Sequence, residues 1–194
     1  MIYKVAGIVS SPRKGMNTDT LVTKVLEGAI AAGAEVEKVF LNELEIMPCQ
    51  ACKKFPAPKF CFYKDGMDQV YNILENADAL VIGTPAYFGT MSAQLKLMID
   101  RSNCLANMTT IPGGKLVFKS RLKKKKGIFI WVANISKNIE HAMVTMRIWC
   151  KYFANIDLEN TMVVTDSDLD EGARNRPKII DKAFKMGKSL IENK

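Results

Sequence analysis

The stretch of sequence that decides the fold is Ser10-Ser11-Pro12-Arg13-Lys14-Gly15-Met16-Asn17-Thr18. It follows a nearly unbroken apolar run at residues 2–9, which is typical of a strand covered on both faces. It precedes a helical stripe of apolar residues, Leu21, Val22, Val25, Leu26, Ala29 and Ile30. Its hydroxyls, amide and guanidinium therefore lie at a helix N-terminus, where unpaired N–H groups and the helix dipole attract anions. The sequence predicts a phosphate site here.

A purely structural explanation of the same loop stays open at this point. Ser, Thr and Asn are ordinary helix caps, and Pro and Gly are ordinary loop residues. The loop also lacks G-x-x-x-x-G-K-[ST] and G-x-G-x-x-G, so it matches neither a nucleoside-triphosphate P-loop nor a dinucleotide fingerprint.

Length and composition favour one domain over residues 1–194. The hydrophobic content of 48% is enough for one well-buried core, and no stretch is typical of a linker. No apolar run is long enough to cross a bilayer, and the first residues lack a signal-peptide pattern. Five cysteines, an odd number, favour reduced thiols or metal ligands over a disulfide framework. These features predict a cytoplasmic protein that does not associate with a membrane.

The formal net charge of +8 raises the question of nucleic-acid binding. The dense basic run at 123–126 directly precedes an apolar run, so it is explained as the solvated entry to a strand. Aromatic residues are not interleaved with it, as a base-stacking surface would require. We predict no nucleic-acid partner, and a basic rim suited to anionic cofactors or acidic proteins.

Apolar patterns alternate between strand-like and helix-like segments, which is typical of an α/β fold with a parallel sheet and helices on both faces. Strands are predicted at 2–9, 35–40, 79–84, 126–132 and 160–165. Helices are predicted after the first loop, from about residue 65, from an N-cap at Ser92 through residue 101, along 139–153 and at the C-terminal end. Five strands fit the flavodoxin-like order 2-1-3-4-5, in which the first and third strands flank the ligand crevice.

The predicted loop at 84–92 reaches that same crevice. A flat, largely apolar ring needs backbone amides for its heteroatoms and apolar side chains for its faces, and Pro85, Tyr87, Phe88 and Gly89 can supply both. Taken alone, the two aromatics could equally be core residues and the glycine a turn. Two unusual loops at one crevice favour the functional interpretation.

The sequence resembles the NAD(P)H-dependent FMN reductase and iron-sulfur flavoprotein group, which is flavodoxin-like. The resemblance is carried by Ser11-Pro12-Arg13-Lys14 with Asn17-Thr18, by Gly83-Thr84-Pro85-Ala86-Tyr87-Phe88-Gly89, and by Ser92-Ala93-Gln94-Leu95-Lys96 with Asp100-Arg101. It implies a three-layer sandwich that binds FMN. It further implies that the phosphate is held by Ser11, Arg13, Asn17 and Thr18, with Ser10 nearby, and that the ring is wrapped by Pro85, Ala86, Tyr87, Phe88 and Gly89.

The family's third flavin-facing loop corresponds here to Ala133, Asn134 and the residues after them, and it departs from the family pattern. That loop is commonly glycine-rich, whereas this one has no glycine, so its backbone would approach the ring less closely. His141, the only histidine, is expected to be a structural residue because the sequence identifies no partner for proton transfer.

The cysteine segment departs from the resemblance as well. Iron-sulfur members carry four clustered cysteines, but this chain has Cys49, Cys52 and Cys61, with Phe55 in place of a third closely spaced cysteine. A fourth ligand would have to be Cys104, Cys150, a non-cysteine group or a partner chain. We therefore expect no intact cluster and favour packing thiols in a loop; a C-x-x-C redox pair is the weaker alternative.

The resemblance implies an FMN-dependent oxidoreductase that passes electrons from NAD(P)H through FMN to a small acceptor such as a quinone or a flavin. No protein side chain need be catalytic, because the cofactor carries the chemistry. Two alternatives stay open: a flavoprotein carrier that serves a ferredoxin-like partner, and a module without FMN. A homodimer or homotetramer is also implied, with the segment 103–121 as a candidate contact.

Overall fold

The strands of the central sheet follow the expected order. The structure is a computed structural model, and it describes residues 2–52, 60–135, 137–165 and 172–192. The strands of the described part are β1 (Lys4–Val9), β2 (Glu35–Phe40), β3 (Ala79–Tyr87), β4 (Thr90–Met91), β5 (Ala106–Ile111), β6 (Lys115–Ser120), β7 (Lys125–Val132) and β8 (Ile156–Val164). Five of them are parallel and ordered β2-β1-β3-β7-β8, which equals 2-1-3-4-5 for the main strands in chain order. The prediction of a flavodoxin-like α/β fold is confirmed.

Helices cover both faces of this sheet and make two apolar clusters. The helices are α1 (Asn17–Ala31), α2 (Met67–Asn76), α3 (Ala93–Asp100), α4 (Glu140–Trp149) and α5 (Pro177–Glu192). Residues of α1 and α5 join one cluster, and residues of α2, α3 and α4 join the other. Alternate side chains of the central strands enter opposite clusters, which is why β1, β3 and β7 are apolar almost throughout.

The predicted element boundaries need three corrections. The third main strand extends to Tyr87, so Pro85 and Ala86 belong to β3 and not to a loop. The last strand begins at Ile156, four residues before the predicted start. Ile30, predicted to face the core, is 53% exposed because α1 is ending there. Ser92 is the N-cap of α3 as predicted, and its hydroxyl accepts a hydrogen bond from the Leu95 N–H at 3.4 Å.

The segment between α3 and β7 forms an antiparallel hairpin, β5–β6, that is separate from the main sheet. Nearly all of β5 beyond Ala106 is exposed, and so is most of β6. Phe118 anchors its base by packing on the rings of Tyr152 and Phe153. The segment 103–121 was predicted as a candidate subunit contact, which stays a prediction, and its two strands were not predicted.

The lysine run at 123–126 lies at the amino edge of the sheet and is largely neutralised there. Lys123 pairs with Asp78, Lys124 with Asp157 and Lys126 with Glu159. Lys125 is only 3% exposed, and its ammonium donates to the Lys123 carbonyl at 2.9 Å. Burial, and then the charge of Lys123, lower the pKa of Lys125 to about 8 against the opposing effect of Asp78.

Lys125→Met is expected to stabilise the fold by about 1–3 kcal/mol at pH 7.5. Below pH 8 the folded protein holds a buried charge that the unfolded chain solvates freely. That cost disappears as pH rises from about 8 to the ordinary lysine pKa of 10.5, so the gain shrinks across this window. Urea unfolding at pH 7.5 and pH 10 measures it. Lys124→Met removes an exposed ion pair and should change little; an equal gain in both variants would contradict the explanation.

Candidate functional site

Hydrogen bonds join the carboxyl ends of β1 and β3 at the point where the strand order reverses. The Ser10 N–H and the Ser10 hydroxyl each donate to the Gly83 carbonyl at 3.0 Å. The Ser92 hydroxyl donates to Ser10 Oγ at 2.8 Å, and the Ser92 N–H donates to Thr84 Oγ1 at 3.0 Å. These four residues are buried or nearly so, and they fix the two predicted ligand loops relative to each other.

The first loop, residues 10–18, brings its predicted residues to the start of α1. Ser11 is buried, its Oγ accepts the Arg13 N–H at 3.2 Å, and the Arg13 side chain is exposed. Thr18 is buried in the first turn of α1, and so is Asn17, whose Oδ1 accepts the Ala173 N–H at 2.7 Å. The N-cap of α1 is Met16, which has no oxygen in its side chain. This placement weakens the plain-capping explanation, because the polar residues of the loop do not occupy the cap.

Asp19 is a residue of this loop region that the sequence reasoning missed. Its carboxylate is 10% exposed and accepts the Gly15 N–H at 2.7 Å. The Lys38 ammonium, from β2, donates to the same carboxylate at 2.7 Å. Burial alone would raise the pKa of Asp19, but these hydrogen bonds and the lysine charge outweigh it and lower that pKa. A Gly before a helix and an acid four residues later was the available signal.

The second loop is the tip of a tight hairpin between β3 and β4, where Tyr87 pairs with Thr90. Phe88 and Gly89 form the turn with φ values of +49° and +75°, as a type I′ turn requires. Asn-Gly is the favoured sequence for such a turn, because a bulky residue at positive φ is strained. Here the strained residue is a fully exposed phenylalanine beside Tyr87, which is 41% exposed. The tip thus presents two aromatic side chains to solvent at the crevice.

The third predicted loop follows β7, the strand next to β3. Ala133 is buried, and its N–H donates to the Val164 carbonyl at 2.8 Å. Asn134 is exposed, and Ile135 next to it is 93% exposed. His141 lies exposed in the first turn of α4. The carboxyl ends of β1, β3 and β7 therefore carry a polar loop, an aromatic tip, and the segment with buried Ala133 and exposed Asn134 and Ile135, in that order across the sheet.

The cysteines lie away from these three loops, around the far end of α3. Cys49, Cys52, Cys61 and Cys104 line one cleft of about 710 Å³, whereas Cys150 is buried elsewhere in the core. Arg101 NH2 lies 3.6 Å from Cys61 Sγ, and Asn103 Nδ2 lies 3.9 Å from Cys49 Sγ. Among the residues that the structure describes, no three Cys, His, Asp or Glu side chains are grouped to hold a metal ion. Phe55, where the family places another cysteine, is outside the described residues.

Burial raises the pKa of the Cys104 thiol, and the hydrogen bond to Tyr71 lowers it. Its Sγ lies 3.3 Å from the Tyr71 hydroxyl, and burial prevails and raises the pKa of Cys104. Burial alone raises the pKa of Cys150 to about 12. The raised pKa makes both thiols less reactive as nucleophiles than an ordinary cysteine.

A parallel sheet in this order, with a polar loop at a helix start and an aromatic tip at its switch point, defines a flavodoxin-like protein. The family model "NADPH-dependent FMN reductase" matches residues 3–168, and the chain belongs to that family. The recognition made from the loop motifs is confirmed.

Known proteins resemble the chain in sequence and in structure. An iron-sulfur flavoprotein of Methanosarcina thermophila is 39% identical over 99 residues, which are 51% of this chain and 52% of that protein. The alignment thus spans about half the length of that relative. Two solved structures share the fold: a flavone reductase (TM-score 0.72, 17% identity, 97% of this chain and 62% of that one) and an NAD(P)H:quinone oxidoreductase from Methanothermobacter marburgensis (TM-score 0.67, 14% identity, 98% and 100%).

No described helix is both long and apolar enough to span a bilayer.

Proposed function

We propose that this chain, acting as one domain over residues 1–194, is an FMN-dependent oxidoreductase that takes electrons from NAD(P)H and passes them to a small acceptor. The supporting observation is the pairing at one crevice of a polar loop at a helix start with an exposed aromatic tip. The first suits the phosphate of FMN, and the second suits the flat ring. Membership of the NADPH-dependent FMN reductase family supports the same cofactor and donor.

The roles of the chain's own residues follow from their positions. Ser11, Arg13, Asn17 and Thr18 would hold the phosphate, with Ser10 bracing the loop against β3. Pro85, Ala86, Tyr87, Phe88 and Gly89 would line the ring, helped by Ala133 and Asn134 from the neighbouring strand end. When bound, FMN supplies hydride acceptance and electron donation. The protein needs only to orient the ring, exclude water from one face and leave the other open.

The exposed aromatic tip also favours one chemical class of electron acceptor. Tyr87, Phe88 and Ile135 expose apolar surface at the carboxyl ends of the strands, which would suit a planar apolar acceptor such as a quinone or a flavin.

Arg13→Ala is expected to weaken FMN binding by about 10- to 100-fold, because a guanidinium makes strong charge-assisted bonds to phosphate. Because the Arg13 side chain is exposed, the unfolding midpoint should stay within about 1 °C. Quenching of FMN fluorescence measures the affinity. Lys185→Ala on α5, an exposed cation paired with Asp181 and outside the three predicted loops, is the control. Unchanged FMN affinity in Arg13→Ala would refute its assignment to the phosphate.

Anaerobic stopped-flow mixing with NADPH tests the proposed function directly. Rapid bleaching of bound FMN supports a reductase. Reduction only by a reduced ferredoxin would support the alternative, a flavoprotein carrier whose basic surface attracts an acidic partner. A purified protein that is colourless and binds no added FMN would exclude both.

We expect no intact iron-sulfur cluster in this chain, although several relatives are named iron-sulfur flavoproteins. Cys49, Cys52 and Cys61 are one thiol short of the four that a cluster generally takes, and Cys104 in the same cleft donates a hydrogen bond to the Tyr71 hydroxyl. Iron and acid-labile sulfide analysis of protein purified without oxygen should give much less than one iron per chain. Stoichiometric iron with a broad visible shoulder would overturn this expectation while leaving the FMN proposal intact.

We also propose a homodimer or homotetramer in which the β5–β6 hairpin makes a subunit contact. Four of its large apolar side chains are exposed, Met108, Ile111, Leu116 and Val117, and an isolated two-stranded hairpin is marginal in water. Light scattering measures the mass of the particle in solution.

No nucleic-acid partner is proposed, since Lys123, Lys124 and Lys126 are paired with acids. A cytoplasmic location stays a prediction.

A further inference from the structure

A carboxylate stands where an anion is expected to bind. Asp19 is in the first turn of α1, the helix whose start should receive the FMN phosphate, and its residue is 7% exposed. A buried negative charge beside a phosphate is unfavourable, because two like charges repel strongly where water is scarce. An acid at this position therefore needs a structural role that explains its presence and a nearby cation that neutralises its charge.

The purpose is visible in the loop backbone. Asp19 Oδ2 accepts the Gly15 N–H at 2.7 Å, and Gly15 has a φ of +69°. This bond closes the chain from Gly15 to Asp19 and holds the glycine in a left-handed conformation just before the helix begins. The loop is thereby shaped before any ligand arrives, which lowers the entropy cost of binding.

The neutralising partner comes from the next strand. Lys38 Nζ lies 2.7 Å from Asp19 Oδ1 and 2.8 Å from Thr23 Oγ1, and the Thr23 hydroxyl itself lies 3.2 Å from the same carboxylate oxygen. The Lys38 ammonium also lies 5.0 Å from the centre of the Phe40 ring. The lysine is thus held over the carboxylate by three groups and is only 28% exposed.

We propose that Asp19 and Lys38 form a positioning pair for the cofactor phosphate: Asp19 shapes the loop, and Lys38 cancels the charge that would otherwise repel the phosphate. This inference rests on the proposed function. It differs from a merely structural ion pair in its consequences. If the pair only stabilised the fold, removing either partner would have the same effect. If it serves the phosphate, the two partners act on FMN affinity in opposite directions.

The test compares FMN affinities of four variants with that of the wild type by fluorescence quenching at low ionic strength. Lys38→Met uncovers the carboxylate and should weaken binding about 10-fold or more. Asp19→Asn keeps an oxygen for the Gly15 N–H and loses the charge, so its affinity should equal or exceed that of the wild type. The double variant Asp19→Asn with Lys38→Met should recover to within about threefold of the wild type. Lys24→Met removes an ion pair with Glu27 in the middle of α1 and should have no effect.

Each outcome of this test supports or overturns either the inference or the proposed function. Removing the partner of a purely structural ion pair can also relieve an uncompensated charge, so the free energy of unfolding is measured on the same variants. Rescue of FMN affinity in the double variant, with affinities that do not follow the free energies of unfolding, supports the inference, and affinities that simply follow them overturn it. A double variant as weak as Lys38→Met overturns it, and so does equal weakening by both single changes. The loss from Lys38→Met should also shrink at 0.5 M salt, whereas a misfolded loop would not recover. Wild-type protein that binds no FMN would refute the proposed function instead.

Discussion

Replacing Gly187 with alanine is expected to lower the free energy of unfolding by about 3 kcal/mol or more. A Cβ on Gly187 would lie 1.9 Å from the Val25 carbonyl oxygen, and one on Gly28 would lie 2.0 Å from the Phe184 carbonyl oxygen. Helices α1 and α5 therefore touch backbone to backbone, and neither backbone can yield without separating the helices. Since α1 also carries the start of the proposed phosphate site, FMN affinity should fall with stability.

Chemical denaturation of Gly187→Ala measures this effect, and Lys182→Ala on the exposed face of α5 is its control. Alanine is a better helix former than glycine, so without the close contact the substitution would stabilise the helix by roughly 0.5–1 kcal/mol. A stabilised Gly187→Ala would thus show that the two helices are not in contact in solution.

Arg101→Met is expected to destabilise the fold by about 3–5 kcal/mol, because it leaves a partly buried acid without its cation. The Arg101 side chain is 1% exposed, and its guanidinium donates to Asp65 Oδ2 at 2.5 Å and to the Met47 carbonyl at 2.6 Å. Because Arg101 directly follows α3, these bonds hold Met47 and Asp65 at the C-terminal end of that helix. Burial alone would raise the pKa of Asp65, but the bond from Arg101 and two backbone N–H bonds lower it.

The double variant Arg101→Met with Asp65→Asn should recover part of the loss, because no uncompensated charge is left behind. The lowered pKa of Asp65 also gives a pH dependence. Stability from this carboxylate is present above its ordinary pKa of 3.8 and is lost as pH falls through its lower folded value. Unfolding curves from pH 5 to pH 2.5 should show a shallower slope in Asp65→Asn than in the wild type, and the remaining slope comes from Asp19 and Asp78, whose pKa values are lowered as well. Equal slopes in the two proteins would assign the acid sensitivity to other carboxylates alone.

Much of the fold was predictable because its signals are local. Runs such as those of β1, β3 and β7 are apolar almost throughout, and that pattern arises only where both faces of a strand are covered. Ser92 could be predicted as a cap because capping depends on a single side chain and the turn after it. The extension of β3 to Tyr87 was missed because a proline in the run argues against a central strand.

The candidate site likewise has features that could be predicted from the sequence and features that could not. Its loops could be predicted because ligand crevices of this fold lie where the strand order reverses, and that order follows from the succession of elements. Asp19 could not be assigned a role, since its effect depends on Lys38 arriving from β2, 19 residues away in the chain. The β5–β6 hairpin was also hidden, because its exposed strands carry little of the apolar alternation by which strands are detected.

The sequence by itself determined the class of fold, the family and the two loops that meet at the crevice, because each depends on residues close together in the chain. Only the tertiary structure decided which charges meet. It placed Lys38 over Asp19, Arg101 against Asp65, and Cys104 in the cleft of Cys49, Cys52 and Cys61. The physical reason is that electrostatic and packing energies depend on distance in space, which chain separation does not reveal.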